Sequence, residues 1–204
     1  MDMHSPQTEI RSARPDDAAA IADVYARCIH NGQGAFEDAA DARAIERRYR
    51  QMLAGRMPFL VACRDAAIVG FGHANGYLPG AGFGHCAQSA VWIEPDWRAK
   101  GIGWALLRDL LLTCRGVGLR QLVAYVRADS EAALAVHASL GFAVIGWHRE
   151  ACHAGGQLHD VVALRRVLDR IASAASPHFL RQPGIAAVAA RADRLGIPAG
   201  FDRA

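Results

Sequence analysis

Arg98 and two following glycines, Gly101 and Gly103, stand in an R-x-x-G-x-G spacing inside the run VWIEPDWRAKGIGWALLRDLLL, Val91 to Leu112. The run begins as an apolar strand, breaks at Glu94-Pro95 and resumes as an amphipathic helix. Glycines at such a turn free successive backbone N–H groups to converge on an anion, and the following helix adds its positive N-terminal field. Arg98 and Lys100 add local charge. The chemistry suggested is the binding of a phosphate or diphosphate, against the plainer reading of a strand-to-helix turn with solvated basic residues. Two other glycine patterns fail. G-x-x-x-x-G-K-[ST] is absent, and Leu106 stands where a dinucleotide fold needs its third glycine.

Other reactive side chains are scattered. His148, His153 and His159 lie five and six residues apart, a spacing that suits no common zinc pattern, so no metal is expected. Five cysteines, Cys28, Cys63, Cys86, Cys114 and Cys152, form no C-x-x-C pair and read as reduced thiols. Cys86 and Cys152 have no evident activating neighbour that would make either an acyl-accepting nucleophile.

The elements that must position the glycine turn follow from periodicity. A short strand near Ile10-Arg11 leads into a helix with Pro15 in its first turn and an apolar face of Ile21, Val24, Tyr25 and Cys28. ARAIERRYRQMLAG reads as a second helix closing at Gly55. Strands PFLVACRD and AIVGFGHANGYL flank a turn at Arg64-Asp65-Ala66, and HCAQSAVWIEP is a third strand. After the turn come a helix from about Gly103 to Arg115, a strand GLRQLVAYVRAD, a helix SEAALAVHASLGF ending at Gly141, and two strands to Leu168. The order β-α-α-β-β-β-α-β-α-β-β predicts an α/β (α+β) domain with one mixed sheet and helices on both faces. From 171 the chain is alanine-rich, which predicts a domain over 1–170 and a helical appendage over 171–204.

With 204 residues, 52% of them hydrophobic and 21% charged, the chain is globular and has a core of ordinary size. A net charge of +3 with scattered basic residues argues against nucleic acid. The opening MDMHSPQTEIRSARPDD has no apolar signal region and no run spans a membrane, so a soluble, cytoplasmic protein is expected.

The turn, the opening IRSARPDDAAAIADVY, the strand AVWIEPDWRAKGIG and the later AVHASLGFAVIG together resemble the GCN5-related N-acetyltransferases (GNAT) over about residues 9 to 168. Within that superfamily the chain resembles the phosphinothricin N-acetyltransferase group, which has a histidine before its LGF or LGY segment, matched by His137, and an H-D pair, matched by His159-Asp160. The resemblance implies a mostly antiparallel sheet splayed at the cofactor site, with acetyl-CoA as cosubstrate. Backbone groups at Val91, Trp92 and Ile93 would pair with the pantetheine arm. Amides of Ala99, Lys100, Gly101, Ile102, Gly103 and Trp104 would hold the diphosphate, with Arg98 beside them. Ser130 replaces an asparagine that contacts the cofactor in the group.

Gln88 stands where the group carries the glutamate taken as its general base. An amide accepts no proton at any useful pH but can orient an amine or water through its donor and acceptor atoms. His137 is therefore the leading candidate for base or acid, because a reference pKa near 6.5 suits both. His73 is a second candidate, on the neighbouring strand. His85 is expected at the surface. For the acceptor, the resemblance implies contacts from Phe36, Arg149 and His159. The group's T-x-N-F-like loop is reduced here to Gly34-Ala35-Phe36, and its Y-K-H-G-G segment to His153-Ala154-Gly155-Gly156-Gln157.

The expected function is N-acetyl transfer from acetyl-CoA to the primary amine of a small acceptor, with amino-acid-like acceptors of the phosphinothricin or methionine sulfone type among those expected, by direct transfer in a ternary complex. The alternatives are acetylation of a protein N-terminus or lysine, and a catalytically silent acyl-CoA sensor, which Gln88 motivates. The resemblance also implies that a homodimer can form.

Overall fold

The computed structural model describes residues 8–31, 42–55, 57–79, 81–154 and 156–168. Phe36 and the segment 171–204 expected as an appendage lie outside the described residues.

The elements run β1 (Glu9–Ser12), α1 (Ala18–His30), α2 (Ala42–Ala54), β2 (Phe59–Arg64), β3 (Ala67–Gly76), β4 (Cys86–Ile93), α3 (Ile102–Gly116), β5 (Gln121–Arg127), α4 (Glu131–Ser139), β6 (Ala143–Ala154) and β7 (Gln157–Val167). This is the order read from periodicity. The strands form one seven-stranded sheet in the order β1-β2-β3-β4-β5-β7-β6, and only the β4–β5 neighbours are parallel.

Local chemistry explains the main turns. Arg11 on β1 grips Asp17 through two hydrogen bonds of 2.7 and 2.9 Å, which fixes the start of α1 against the sheet. That pairing, together with the Arg14 amide, holds the Asp17 carboxyl below the usual carboxylate range. The β2–β3 hairpin turns at Asp65 and Ala66, with φ of +48° and +66°. Two consecutive left-handed residues give the tight turn that suits twisted strands, here formed without glycine.

Helices cover both faces. On one, Ile102, Leu106, Leu107 and Leu110 of α3 pack over Ile93 and Leu122. On the other, α1 and α2 lay Tyr25 and Tyr49 on an aromatic cluster of Phe59, Phe71 and Trp92. Tyr25 meets Trp92 edge-on at 4.8 Å, and Phe59 stacks on Phe71 at 5.9 Å. The close pairing of β3 with β4 beneath α3 depends on Gly70 of β3. A Cβ there would lie 2.7 Å from Ile93 Cδ1 and 2.9 Å from the Trp92 carbonyl oxygen.

The sheet parts in its middle. β4 and β5 pair only at Cys86↔Gln121, Ala87↔Leu122 and Gln88↔Val123. Beyond that point β4 continues to Ile93 on β3 alone, and β5 continues to Arg127 on β7 alone. At the sheet's edge, β6 bulges between His148 and Cys152, with Glu150 at a φ of +48°. Asp160 of β7 holds the bulge, accepting hydrogen bonds from Trp147 Nε1 at 2.8 Å and from the Glu150 amide at 2.9 Å.

Gly70→Ala should destabilise the domain by about 1–3 kcal/mol, because a backbone oxygen cannot give way as a side chain can. Calorimetry should show a fall in Tm of several degrees. An unchanged Tm would mean that β4 can shift to accept a methyl group at this contact.

Candidate active site

The turn between β4 and α3 has the conformation that a phosphate cradle requires. Ala99 and Gly101 both adopt left-handed φ, +57° and +78°. Such alternation swings consecutive amides toward one point. Among the described residues, no backbone carbonyl accepts from the amides of Ala99 through Trp104, whereas the Arg98 amide bonds to Pro95 and the Ala105 amide to Gly101. The unpaired amides thus gather at the positive end of a 15-residue helix. A Cβ at Gly103 would meet only Ile93 Cγ1, at an ordinary 3.5 Å. The fold itself therefore tolerates a side chain there, and the bare glycine leaves the cradle open for a ligand. These features fit the diphosphate of coenzyme A.

The two basic residues of the turn are directed inward or sideways. Arg98 donates through Nε to the Ile93 carbonyl at 3.2 Å, and the buried Cys28 thiol donates to the same oxygen at 3.3 Å. Lys100 lies over the Trp97 ring at 4.5 Å, and Arg64 lies 5.2 Å from the same ring. Arg27 ties α1 to Glu94 at 2.6 Å. Arg98 therefore shapes the start of the cradle and does not stand as free outer charge.

Between cradle and sheet lies the gap left by the parted strands. Ile93 turns its carbonyl away from β3, and the two-residue alternation of a strand turns Val91 the same way. Ile93's carbonyl is taken by Arg98 and Cys28, so Val91 is left with main-chain groups directed into the gap. At the apex, Ser89 reaches across to the Val123 carbonyl at 3.4 Å. Trp92 points away from the gap into the aromatic cluster, so only its backbone belongs to this edge.

Register places the remaining candidates. Gln88 pairs with Asn75 across β3 and with Val123 across β5, so it stands at the apex on the α1–α2 face. His73 is on the same face but is 5% exposed and stacked on Phe59 at 5.2 Å, which makes it part of the aromatic wall. His85 is exposed, and its carbonyl accepts from the Arg120 amide at 2.8 Å. His137 is buried on α4, edge-on to Phe142 at 4.9 Å. Its Nδ1 lies 2.8 Å from the Ala133 carbonyl and so carries the proton, which leaves Nε2 as the basic atom. Burial lowers the His137 pKa, while the Ala133 carbonyl pulls it partly back. The neutral ring is favoured, which suits a base better than an acid. Ser130 sits at the N-cap of α4 without a side-chain cap bond.

On the far strands, His159 is held between Asp129 at 3.4 Å and the Ala154 carbonyl at 3.2 Å. Arg149 lies in the exposed β6 bulge, where it has a partner of its own. Both stand on β7 and β6, beyond β5 as counted from Gln88 on β4. All five thiols are held above their ordinary pKa by burial, Cys114 up to about 12, so none is a ready nucleophile. Among the described residues, no three His, Cys, Asp or Glu side chains gather as a metal site would need.

Asn75, Tyr77 and Tyr125 are the residues that the sequence reading passed over. Tyr125 lies two residues past Val123 on the Gln88 face, and its hydroxyl meets that of Tyr77. The alternation Gln121, Val123, Tyr125, Arg127 in β5 was the available signal.

Comparison with known proteins agrees with this geometry. The model of the Acetyltransferase (GNAT) family matches residues 19–142. The phosphinothricin N-acetyltransferase of Alcaligenes faecalis is 32% identical over 162 residues, 78% of this chain and 82% of that protein. The L-amino acid N-acyltransferase MnaT of Escherichia coli is 31% identical over 163 residues, 78% of this chain and 94% of that protein. Among solved structures, a GNAT superfamily phosphinothricin acetyltransferase from Sinorhizobium meliloti, in complex with AcCoA, superposes with a TM-score of 0.74 at 23% identity, covering 83% of this chain and 96% of that one.

Gly103→Val should leave the Tm nearly unchanged and weaken coenzyme A binding at least about tenfold by calorimetric titration, since it fills the cradle and little else. Equal affinity would show that the ligand does not reach α3. For His137, a lowered folded-state pKa makes its contribution to stability complete above the unfolded value of 6.5 and progressively lost as pH falls below it. Tm measured from pH 7.5 to 5.5 should therefore fall less steeply in His137→Phe than in the native chain. Parallel curves would mean that the fold does not lower the pKa of the ring.

Proposed function

We infer the activity from the premise that this chain belongs to the acetyltransferase (GNAT) family: it is an acetyl-CoA-dependent N-acetyltransferase that acts on the primary amine of a small acceptor. The observation that carries this reading is the parting of β4 from β5 next to a left-handed turn of unpaired amides at the start of α3.

The thioester of acetyl-CoA supplies the activated acyl group. The residues of this chain bind and align it. In our reading, the amides of Ala99 through Trp104 hold the diphosphate, and the main-chain groups of Val91 and the Ile93 amide hold the arm along the gap. Ser130 adds a contact from the start of α4. Gln88 at the apex offers a carbonyl to the incoming amine and an N–H to its surroundings, orienting the amine without taking its proton. The proton passes to Nε2 of His137, whose burial keeps it neutral at physiological pH. Thiols held above their ordinary pKa favour transfer within a ternary complex over a covalent acyl-enzyme. We assign this chemistry to residues 1–170 and place the protein in the cytoplasm, on its free cysteines. The relatives named above are phosphinothricin and L-amino acid transferases, which argues for a small acceptor rather than a protein terminus or lysine. Gln88 is the one observation that favours a silent sensor.

Thiol release from acetyl-CoA in the presence of a panel of small amines separates enzyme from sensor. Turnover is expected, and Gln88→Ala should lower kcat about tenfold or more. Unchanged kcat in that variant would remove Gln88 from the site. Mass spectrometry after incubation with acetyl-CoA alone should show no acetyl adduct on any cysteine, and an adduct would overturn direct transfer.

A further inference from the structure

We propose that Tyr77 and Tyr125 wall an acceptor pocket that selects amines with an uncharged aromatic or apolar body and discriminates against amino acids. The proposal rests on the reading of the chain as an N-acetyltransferase for small amines, and narrows the acceptor class.

The two tyrosines stand on either side of β4. Tyr125 comes from β5, past the last residue paired with β4, and Tyr77 follows the end of β3, its amide bonding to the Cys86 carbonyl at 3.4 Å. Their hydroxyls meet across β4 near Gln88. That contact and burial raise the Tyr125 phenol above its ordinary pKa. His148 of β6 backs Tyr125 with ring centres 6.2 Å apart, and Phe83 meets Tyr77 edge-on at 6.3 Å. Leu78 and Phe83 are exposed beside it, 49% and 44%, and give the entrance an apolar rim. An apolar body can rest on these side chains.

Among the described residues, the arginines that flank this wall on β5 and β6 have partners. Arg127, two residues beyond Tyr125, is paired with Asp129, and that pairing holds the aspartate below its usual range. Arg149 has a partner of its own. An acceptor carboxylate entering beside Gln88 would lose its water and find amide, phenol and imidazole groups in place of a free cation. An aromatic body loses little and gains ring contacts with Tyr125 and Tyr77.

The test is a matched pair, phenethylamine and L-phenylalanine, which differ only by the carboxylate, with phosphinothricin as a third acceptor. Native enzyme should transfer to phenethylamine with kcat/KM at least about 30-fold above either amino acid. Tyr125→Ala should raise KM for phenethylamine several-fold with kcat nearly kept. Tyr125→Arg, or Tyr77→Arg should the first not fold, should shift the ratio toward phenylalanine by about tenfold or more. Equal or better transfer to phenylalanine or phosphinothricin by the native enzyme overturns the selection and leaves the transferase reading standing. An unchanged KM in Tyr125→Ala overturns the assignment of the wall. No transfer to any amine, by protein that still binds coenzyme A, overturns both readings.

Discussion

Two parallel strands cease to exchange hydrogen bonds after Gln88 and Val123, and the rest of the molecule accommodates that event. A strand edge in a protein interior carries main-chain groups that cost free energy when unpaired. Past that point five residues of β4 and four of β5 run without each other, and every second one turns its main-chain groups into the gap. The chain satisfies part of the debt with side chains, the Cys28 thiol and the Arg98 guanidinium on one carbonyl and the Ser89 hydroxyl on another. What stays unsatisfied near Val91 is a ready partner for an amide-bearing ligand. Affinity here comes from strand pairing left incomplete by the fold, as in other cases where a ligand adds to an exposed edge.

The same event sets the direction of the chemistry. The open end of the gap faces a helix start with its amides unpaired, and the closed end faces a cluster of neutral polar side chains. Negative charge is favoured at one end, and amide and phenol groups of Gln88, Tyr77 and Tyr125 stand at the other. The aromatic layer between Tyr49 and Trp92 keeps α1 and α2 in register with β3 and β4, so the acceptor face is carried on rigid elements. His73 belongs to that layer. Its ring contributes packing where its chemistry alone had suggested a catalytic part.

The legible features were those with a period or a punctuation mark. Ile21, Val24, Tyr25 and Cys28 announced a helix face, and all four are buried. The glycines of the turn announced left-handed backbone, and Gly101 has it; Ala99 has it too, and an alanine gives no such warning. The side-chain geometry of Arg98 was hidden because a basic residue next to an anion cradle looks like a ligand contact, and only the fold brings the Ile93 carbonyl to it. Tyr125 was hidden for another reason. Alternation marked its face, but the importance of that face depends on where β4 leaves β5, and strand divergence leaves no trace in hydrophobic period.

The sheet ends in β1 on one side and β6 on the other. The first is only four residues long, and the second is broken by the bulge that Asp160 holds at Glu150. Exposed Ile145 and Trp147 lie just before that bulge, on a strand that would otherwise offer a long template of unpaired amides. The kink divides the template into pieces too short for another chain to zip onto, so the carboxylate of Asp160 guards against strand-by-strand aggregation of the protein with itself.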